Sequence, residues 1–370
     1  MADSKSVSAP AEVPLLKVDN VSRHFNVKRG WLRKQSLTLK AVDGLSFDVR
    51  PGETLAVVGE SGCGKSTLAR LIVGLDKPTG GSIAVQGKAL AERGAVKLDV
   101  RKNLQMVFQD PFSSLNPRMR IGELLEEPLL IHNLGNAEER QRRVQDLLDR
   151  VGLPGNYAQR YPHQLSGGQR QRIGIARALA VEPQLIVCDE PVSSLDVSVQ
   201  AQIINLLLDT QKALGVSYLF IAHNLAVVKH IADRVAVMYL GRIIEMGSKE
   251  DIFNNPRHPY TRMLLASVPQ AHPDDRPERS TEASDLPSPL NVPPGCRFQT
   301  RCPHVQARCR EEDPMLRDGD HATACHFWED INARIGSESV LAAPRPRKAY
   351  VDRVLKGFEA MAENNRAEAS

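Results

Sequence analysis

No apolar run in this chain approaches the roughly 18 residues that a membrane-spanning helix needs. The opening stretch MADSKSVSAPAEVP also lacks the basic-then-apolar layout of a secretory signal. The chain is therefore expected to stay cytosolic and to serve a membrane, if it serves one, through a partner. Charge of one sign is missing too: 48 basic residues against 44 acidic ones leave a net charge of +4. That is too mild to argue for nucleic acid, and a solvated surface is the default. Closely spaced CxxC pairs are absent as well, which removes the usual knuckle of a zinc ribbon.

What is present is ordinary globular composition, 42% hydrophobic and 25% charged over 370 residues, enough for one large domain plus something smaller. Residues 1–14 are small, polar and proline-containing, and are expected to be disordered. The stretch 15–25 reads as a strand, followed by a basic insertion in which Gly30 suggests a hairpin loop. Strands at 45–49 and 55–58 flank a turn at Pro51-Gly52. A turn is expected at Pro78-Thr79-Gly80-Gly81, and a short strand at 104–108.

From Asp110 to about Gln164 the pattern becomes helical, with Val144, Leu147, Leu148 and Val151 at i, i+3, i+4 and i+7. An inserted helical subdomain, about 110–168, accounts for it. The core resumes with a helix from Gln169, a strand at 185–188, a helix at 199–208, a strand at 218–222 and a hairpin turning at Gly241. Apolar strands alternating with helices predict an α/β fold with a mainly parallel sheet covered on both faces, and function at the carboxyl ends of its strands. Residues 271–335 hold a proline- and charge-rich linker and then a cysteine-bearing module, and 336–370 a polar tail with one short helical candidate.

Gly59-Glu60-Ser61-Gly62-Cys63-Gly64-Lys65-Ser66-Thr67 fits GxxxxGK[ST] and sits between an apolar strand and an apolar helix. Glycines there let backbone N–H groups face phosphates, and the helix N-terminus adds positive potential. Lys65 is placed to reach β- and γ-phosphates, and Ser66 to ligate Mg²⁺. The run LIVCDE supplies Asp189 as a second Mg²⁺ ligand at a strand end, and Glu190 as the carboxylate that polarises water. Ser166, Gly167, Gly168 and Gln169 open another helix and form a second anion site. Cys63, at a helix N-terminus beside Lys65, is expected to have a lowered pKa, whereas Cys188 reads as a small core residue.

With LSGGQ at 165–169, the chain resembles the ATP-binding subunits of ABC transporters, a P-loop NTPase fold with an antiparallel β subdomain and an inserted helical subdomain. The set runs in order over about residues 15–270: Walker A at 59–67, a Q-loop at Gln109, the signature, Walker B ending at Asp189-Glu190, a D-loop reaching Asp196, and a switch histidine at His223. The resemblance implies two such domains paired head to tail, so that Ser166, Gly167, Gly168, Gln169 and Asp196 serve ATP bound mainly by the partner. It further implies that Gln109 touches Mg²⁺ or the attacking water, that His223 bonds the γ-phosphate, and that Phe25 stacks on adenine. The family usually has Asp after the histidine; here Asn224 stands there, which bears on pH dependence.

The segments NPRHPYTRMLLASVP, 255–269, and LPSPLNVPPGCRF, 286–298, resemble the oligopeptide and dipeptide importer ATPases. That implies a peripheral subunit on the cytoplasmic face of the inner membrane, a related second ATPase completing a heterodimer, two permeases, a solute-binding protein outside, and no nucleic acid. Residues 113–130 are the expected permease-docking segment. Nickel, haem or glutathione remain alternative cargoes, and a soluble ABC ATPase acting on nucleic acid is a lesser alternative, since such chains usually carry two cassettes or a long coiled coil. Cys296, Cys302, Cys309 and Cys325 supply four thiolates, suited to a 4Fe-4S cluster, less to Zn²⁺, or left unligated; a sensor role for this module is a third reading.

Overall fold

A computed structural model describes residues 13–29, 35–92, 95–110, 114–267, 289–317 and 319–335. The expected disordered start, the Gly30 turn, most of the linker and the tail helix fall largely or wholly outside them.

Two long antiparallel strands, β1 (Leu16–Arg29) and β2 (Gln35–Val49), open the chain and pair from Leu16–Val49 to Arg29–Gln35. After β3 (Thr54–Val58) and helix α1 (Lys65–Ile72) come β4 (Gly80–Val85), β5 (Lys88–Ala89), β6 (Ala91–Glu92) and β7 (Ala95–Val96). Strands β1, β2, β4 and β5 make a four-stranded antiparallel sheet in the order β2-β1-β4-β5. The turn expected at 78–81 is displaced, because Gly80 and Gly81 already belong to β4. Gly81 has φ 79°, and a Cβ there would lie 2.2 Å from the Asn20 carbonyl oxygen, so glycine is required by the close approach of β1.

Helix α2 (Leu98–Asn103) leads into β8 (Leu104–Val107). The insertion follows as α3 (Ile121–Ile131) and α4 (Ala137–Arg150). Asn136 caps α4 by accepting from the Glu139 N–H at 3.0 Å, while the Glu139 carboxylate accepts from the Asn136 N–H at 2.8 Å. Val144, Leu147, Leu148 and Val151 are all buried, as their spacing predicts.

Next come α5 (Gly167–Leu179), β9 (Leu185–Asp189), α6 (Val197–Leu214), β10 (Ser217–Ala222), α7 (Leu225–Ile231), β11 (Arg234–Tyr239) and β12 (Arg242–Ser248). Helices α8 (Lys249–Asn254) and α9 (Pro259–Ala266) precede the cysteine region, which holds α10 (Ala307–Glu311), β13 (Ala322–Thr323) and α11 (Trp328–Ile335).

The main sheet runs β13-β12-β11-β3-β10-β9-β8. Strands β8, β9, β10, β3 and β11 are parallel; β12 and β13 are antiparallel additions at one edge. Every residue of β3, β9 and β10 is buried, because both faces are covered. Ile121, Leu125, Leu148 and Ile173 pack on one face, and Leu68, Ile72, Val18 and Phe47 on the other.

The cysteine region is joined to this sheet through Glu245 on β12, which is fully buried. Its carboxylate accepts from the backbone N–H groups of Arg257 (2.6 Å) and His258 (2.9 Å) and pairs with His321 Nε2 at 2.8 Å. A buried carboxylate persists only with such partners. Burial lowers the His258 pKa to about 4, so that ring stays neutral and accepts from the Tyr260 N–H.

Candidate active site

The carboxyl ends of β3, β8, β9 and β10 deliver the phosphate loop, Gln109, Asp189-Glu190 and His223 to one edge of the sheet. They border a cleft of about 280 Å³ lined by residues 61–67, Gln109, Glu190, Lys40, Ala41 and Gly241. Two of the loop glycines are fixed by space: a Cβ on Gly59 would meet the Met238 carbonyl oxygen at 2.2 Å, and one on Gly64, where φ is 110°, the Ala41 oxygen at 2.0 Å.

Lys65 begins α1 with its side chain 4% exposed, and its ammonium donates to the carbonyls of Gly59 (2.8 Å) and Glu60 (3.0 Å). Ser66 Oγ donates to Asp189 Oδ1 at 3.1 Å, bringing two of the three expected Mg²⁺ ligands together. Burial raises the Asp189 pKa, against the lowering effect of the Ser66 hydrogen bond and the Lys65 charge. Ser66 and Asp189 would hold a hard cation such as Mg²⁺, whose positive charge would favour the ionised carboxylate that burial disfavours.

Glu190 gathers the remaining groups. It has φ 45°, a left-handed conformation uncommon for a residue with a side chain, and its N–H bonds the Ile221 carbonyl at 3.0 Å. Gln109 Nε2 donates to Glu190 Oε2 at 3.2 Å, His223 Nδ1 lies 3.1 Å from the same oxygen, and Lys65 Nζ lies 4.0 Å from Oε1. Chemically, the cleft offers the loop backbone of residues 61–67 and an ammonium for phosphate, two oxygens for Mg²⁺, and a carboxylate flanked by an amide and an imidazole.

The other candidates stand apart. Phe25 is half-buried on β1 beside Leu39 of the cleft wall, with the Arg23 guanidinium 4.4 Å from its ring centroid, so it is not a core aromatic. Ser166 is the exposed N-cap of α5, accepting from the Gln169 N–H at 3.3 Å while the Gln169 side chain accepts from the Ser166 N–H at 3.0 Å. A Cβ on Gly168 would lie 2.5 Å from a Val199 methyl group, so the signature turn packs on the start of α6. Asp196 caps α6 through the Val199 N–H at 3.0 Å, next to Val197, which is 82% exposed. None of residues 166–169 lines the phosphate cleft.

One expectation is revised. Cys63 is buried, and burial pushes its thiol pKa up, overriding Lys65; the lowered pKa expected from helix position does not hold. Asn224 caps α7 by accepting from the Ala226 N–H at 2.9 Å, a job Asn and Asp do equally well.

The four cysteines 296, 302, 309 and 325 are free thiols lining one small cavity behind β12 together with His258, His304 and His326. Burial raises the Cys296, Cys302 and Cys325 pKa values to about 11. Among the described residues no group of three or more His, Cys, Asp or Glu stands as a set that could hold a metal ion.

Sequence reading missed two features. Arg301, beside Cys302, forms a bidentate ion pair with Glu60 of the phosphate loop (2.7 and 3.0 Å), which no local pattern signals across 241 positions. An apolar groove of about 310 Å³ between core and insertion is lined by Leu75, Leu98, Phe108, Leu115 and Ile131, of which all but Leu115 are exposed. A cluster of large exposed apolar side chains was the signal available.

The family model for ABC transporters matches residues 42–193, taking in the phosphate loop, Gln109, the signature turn and Asp189-Glu190. The chain is an ABC transporter ATPase. A second model, the C-terminal region of oligopeptide/dipeptide transporters, matches residues 244–309. Over 320 residues the chain is 51% identical to the dipeptide transport ATP-binding protein DppF of Escherichia coli, covering 86% of this chain and 95% of that one. It is 48% identical over 328 residues to the oligopeptide transport ATP-binding protein AppF of Bacillus subtilis, covering 87% and 100%.

Among solved structures it resembles cbiO1 of Clostridium perfringens, part of an ABC transporter complex, with TM-score 0.56, 29% identity and 66% and 92% coverage of the two chains. It also resembles the ATP-binding cassette MJ0796, a dimer bound to ADP and Pi, with TM-score 0.55, 28% identity and 63% and 98% coverage. The chain therefore belongs to the ATP-binding subunits of oligopeptide and dipeptide ABC transporters. Among the described residues no helix is long and apolar enough to cross a membrane.

Proposed function

We propose that this subunit binds Mg-ATP in the cleft at the carboxyl edge of the sheet and that its hydrolysis powers import of dipeptides or oligopeptides. The observation that carries this reading is the convergence of Lys65, Gln109 and His223 on Glu190 beside the Ser66–Asp189 pair. In it, residues 59–67 cradle the phosphates, Ser66, Asp189 and Gln109 hold Mg²⁺, Glu190 polarises the attacking water, His223 bonds the γ-phosphate and Phe25 covers the adenine. The exposed Ser166, with Gly167, Gly168, Gln169 and Asp196, completes the site of a second, related ATPase across the dimer, and the exposed Val197 supports that contact.

The apolar groove at Leu75, Leu98, Phe108 and Ile131 gives one permease a place to seat a short cytoplasmic helix, adjoining Gln109 so that docking and hydrolysis are coupled. Peripheral attachment to the cytoplasmic face of the membrane follows from that docking. In vesicles carrying the permeases, the partner ATPase and the solute-binding protein, ATP-dependent uptake of labelled dialanine is expected only when this subunit is present. Uptake of nickel, haem or glutathione without any peptide uptake would move the cargo elsewhere.

Although the four thiols are not gathered into a metal-holding set, they line one cavity and their donor chemistry is that of a 4Fe-4S cluster, with Zn²⁺ second. Cys296, Cys302, Cys309 and Cys325 would hold it, and its iron–thiolate bonds would tie the 296–325 region together. Protein purified without oxygen is expected to contain about four iron and four sulfide per chain. A colourless preparation with one zinc, or with no metal, refutes the cluster.

A further inference from the structure

We propose that Arg301 is a positioning residue for the ATPase, acting through Glu60 to shape and neutralise the phosphate loop. The inference rests on the reading of residues 59–67 as the ATP cradle. Glu60 is held from three sides: its N–H donates to the Tyr260 hydroxyl at 3.0 Å, its carbonyl accepts from Lys65 Nζ at 3.0 Å, and its carboxylate takes both Arg301 nitrogens. Two of these three holders, Tyr260 and Arg301, lie within residues 244–309, outside the segment matched by the general ABC model. The brace is thus supplied by the part of the chain that marks the peptide-transporter group, not by the common cassette.

The brace is itself well seated. Arg301 is 10% exposed at its side chain, its guanidinium lies 6.0 Å from the Tyr239 and Phe298 ring centroids, and Met263 Sδ is 3.8 Å away. Phe298 packs against Tyr260 at 5.5 Å between ring centroids and against Tyr239 at 5.4 Å, forming an aromatic platform under the pair. The turn that carries Arg301 is closed by the Arg301 N–H on the Phe298 carbonyl (3.0 Å) and the Gln299 N–H on the Cys296 carbonyl (3.1 Å).

Electrostatics give the brace its purpose. A carboxylate inside a loop built to bind a tetraanion repels the ligand unless it is paired. Arg301 cancels that charge and turns the Glu60 side chain aside, leaving residues 61–67 to line the cleft. Without Arg301, Glu60 is a free negative charge one residue from that lining. Two roles follow, orientation and charge cancellation, and the second is reversible by neutralising Glu60.

The test reads trinitrophenyl-ATP binding in Mg²⁺ on the purified full chain and steady-state ATP hydrolysis on that chain assembled with its partner ATPase. Arg301→Ala is expected to weaken nucleotide binding about tenfold, with kcat at saturating ATP within about twofold of wild type. Adding Glu60→Gln to Arg301→Ala is expected to return affinity to within about threefold of wild type, because the uncancelled carboxylate is gone. Arg301→Lys, which keeps the charge and stem but loses the fork, is expected to fall between.

A merely structural arginine predicts the opposite pattern: the double variant is as weak as Arg301→Ala or weaker, and kcat falls with affinity. That pattern, or an Arg301→Ala affinity within twofold of wild type, overturns the proposal. If Arg301→Ala fails to fold, Arg301→Lys with and without Glu60→Gln decides by the same rescue. A wild-type chain that binds no nucleotide would instead strike at the reading of the cleft.

Discussion

Glu190→Gln is expected to lower ATP turnover roughly 10²–10⁴-fold while leaving Mg-ATP binding intact or slightly tighter. The amide keeps the size of the carboxylate, and its oxygen still accepts from Gln109 Nε2, now 3.2 Å away. What it loses is the ability to take a proton from water and the negative charge that lies 3.1 Å from His223 Nδ1 and balances Lys65 at 4.0 Å. Removing a negative charge that faces a triphosphate favours binding, so the sign of the affinity change separates this role from a structural one. The left-handed φ of 45° at this position is unchanged by the substitution, since Gln carries the same backbone strain as Glu. Hydrolysis is followed by phosphate release and dimerisation by gel filtration in Mg-ATP, where the unspent nucleotide is expected to hold two cassettes together. Turnover near the wild-type rate would remove Glu190 from the catalytic role.

The strand, loop and first helix around residues 54–72 are legible in the sequence because three local signals coincide: a short apolar run, glycines at set spacing, and a Lys-Ser pair opening an apolar helix. The insertion is legible for a similar reason, since a 3.6-residue period is visible wherever one helix face is buried, as at Val144, Leu147 and Leu148. Residues 80–96 were not legible. Strands of two residues have no period to detect, and Gly80-Gly81 reads as a turn although Gly81 sits in β4 because the Asn20 backbone presses against it.

The site divides along the same line. The candidate residues at strand ends, Gln109, Asp189, Glu190 and His223, announce themselves as polar groups directly after apolar runs. Interactions set by tertiary approach do not. Cys63 looks activated by its neighbours in sequence, yet its burial under the loop decides its thiol pKa. The edge strand β13 docks the cysteine region on β12 through the buried Glu245 and His321, a contact between residues 76 positions apart. The Arg301–Glu60 pair is more distant still, and only folding reveals that the cysteine turn reaches the phosphate loop.

Lys65→Ala is the second large effect, a loss of Mg-ATP affinity of at least about a hundredfold. The ammonium is almost fully buried, a position tolerated because the carbonyls of Gly59 and Glu60 accept from it at 2.8 and 3.0 Å. A phosphate oxygen arriving in the cleft meets a cation already desolvated and aimed, which makes the charge-assisted hydrogen bond about twice as strong as a neutral one. At an effective dielectric near 20, a unit pair at 4 Å attracts by about 4 kcal/mol; retaining about 2.8 kcal/mol after desolvation gives the hundredfold change. Stability moves less. Alanine leaves two carbonyls short of a donor and removes the cation 4.0 Å from Glu190 Oε1, a carboxylate that keeps Gln109 and His223 beside it, so the melting temperature is expected to shift by only about 2–4 °C without nucleotide. Titration with a fluorescent nucleotide separates the two effects, and an affinity within threefold of wild type would deny Lys65 the phosphate. The ranking is also a check on mechanism: Arg301, which acts one step removed through Glu60, should weaken binding about tenfold against about a hundredfold for Lys65, because it shapes the loop that Lys65 completes.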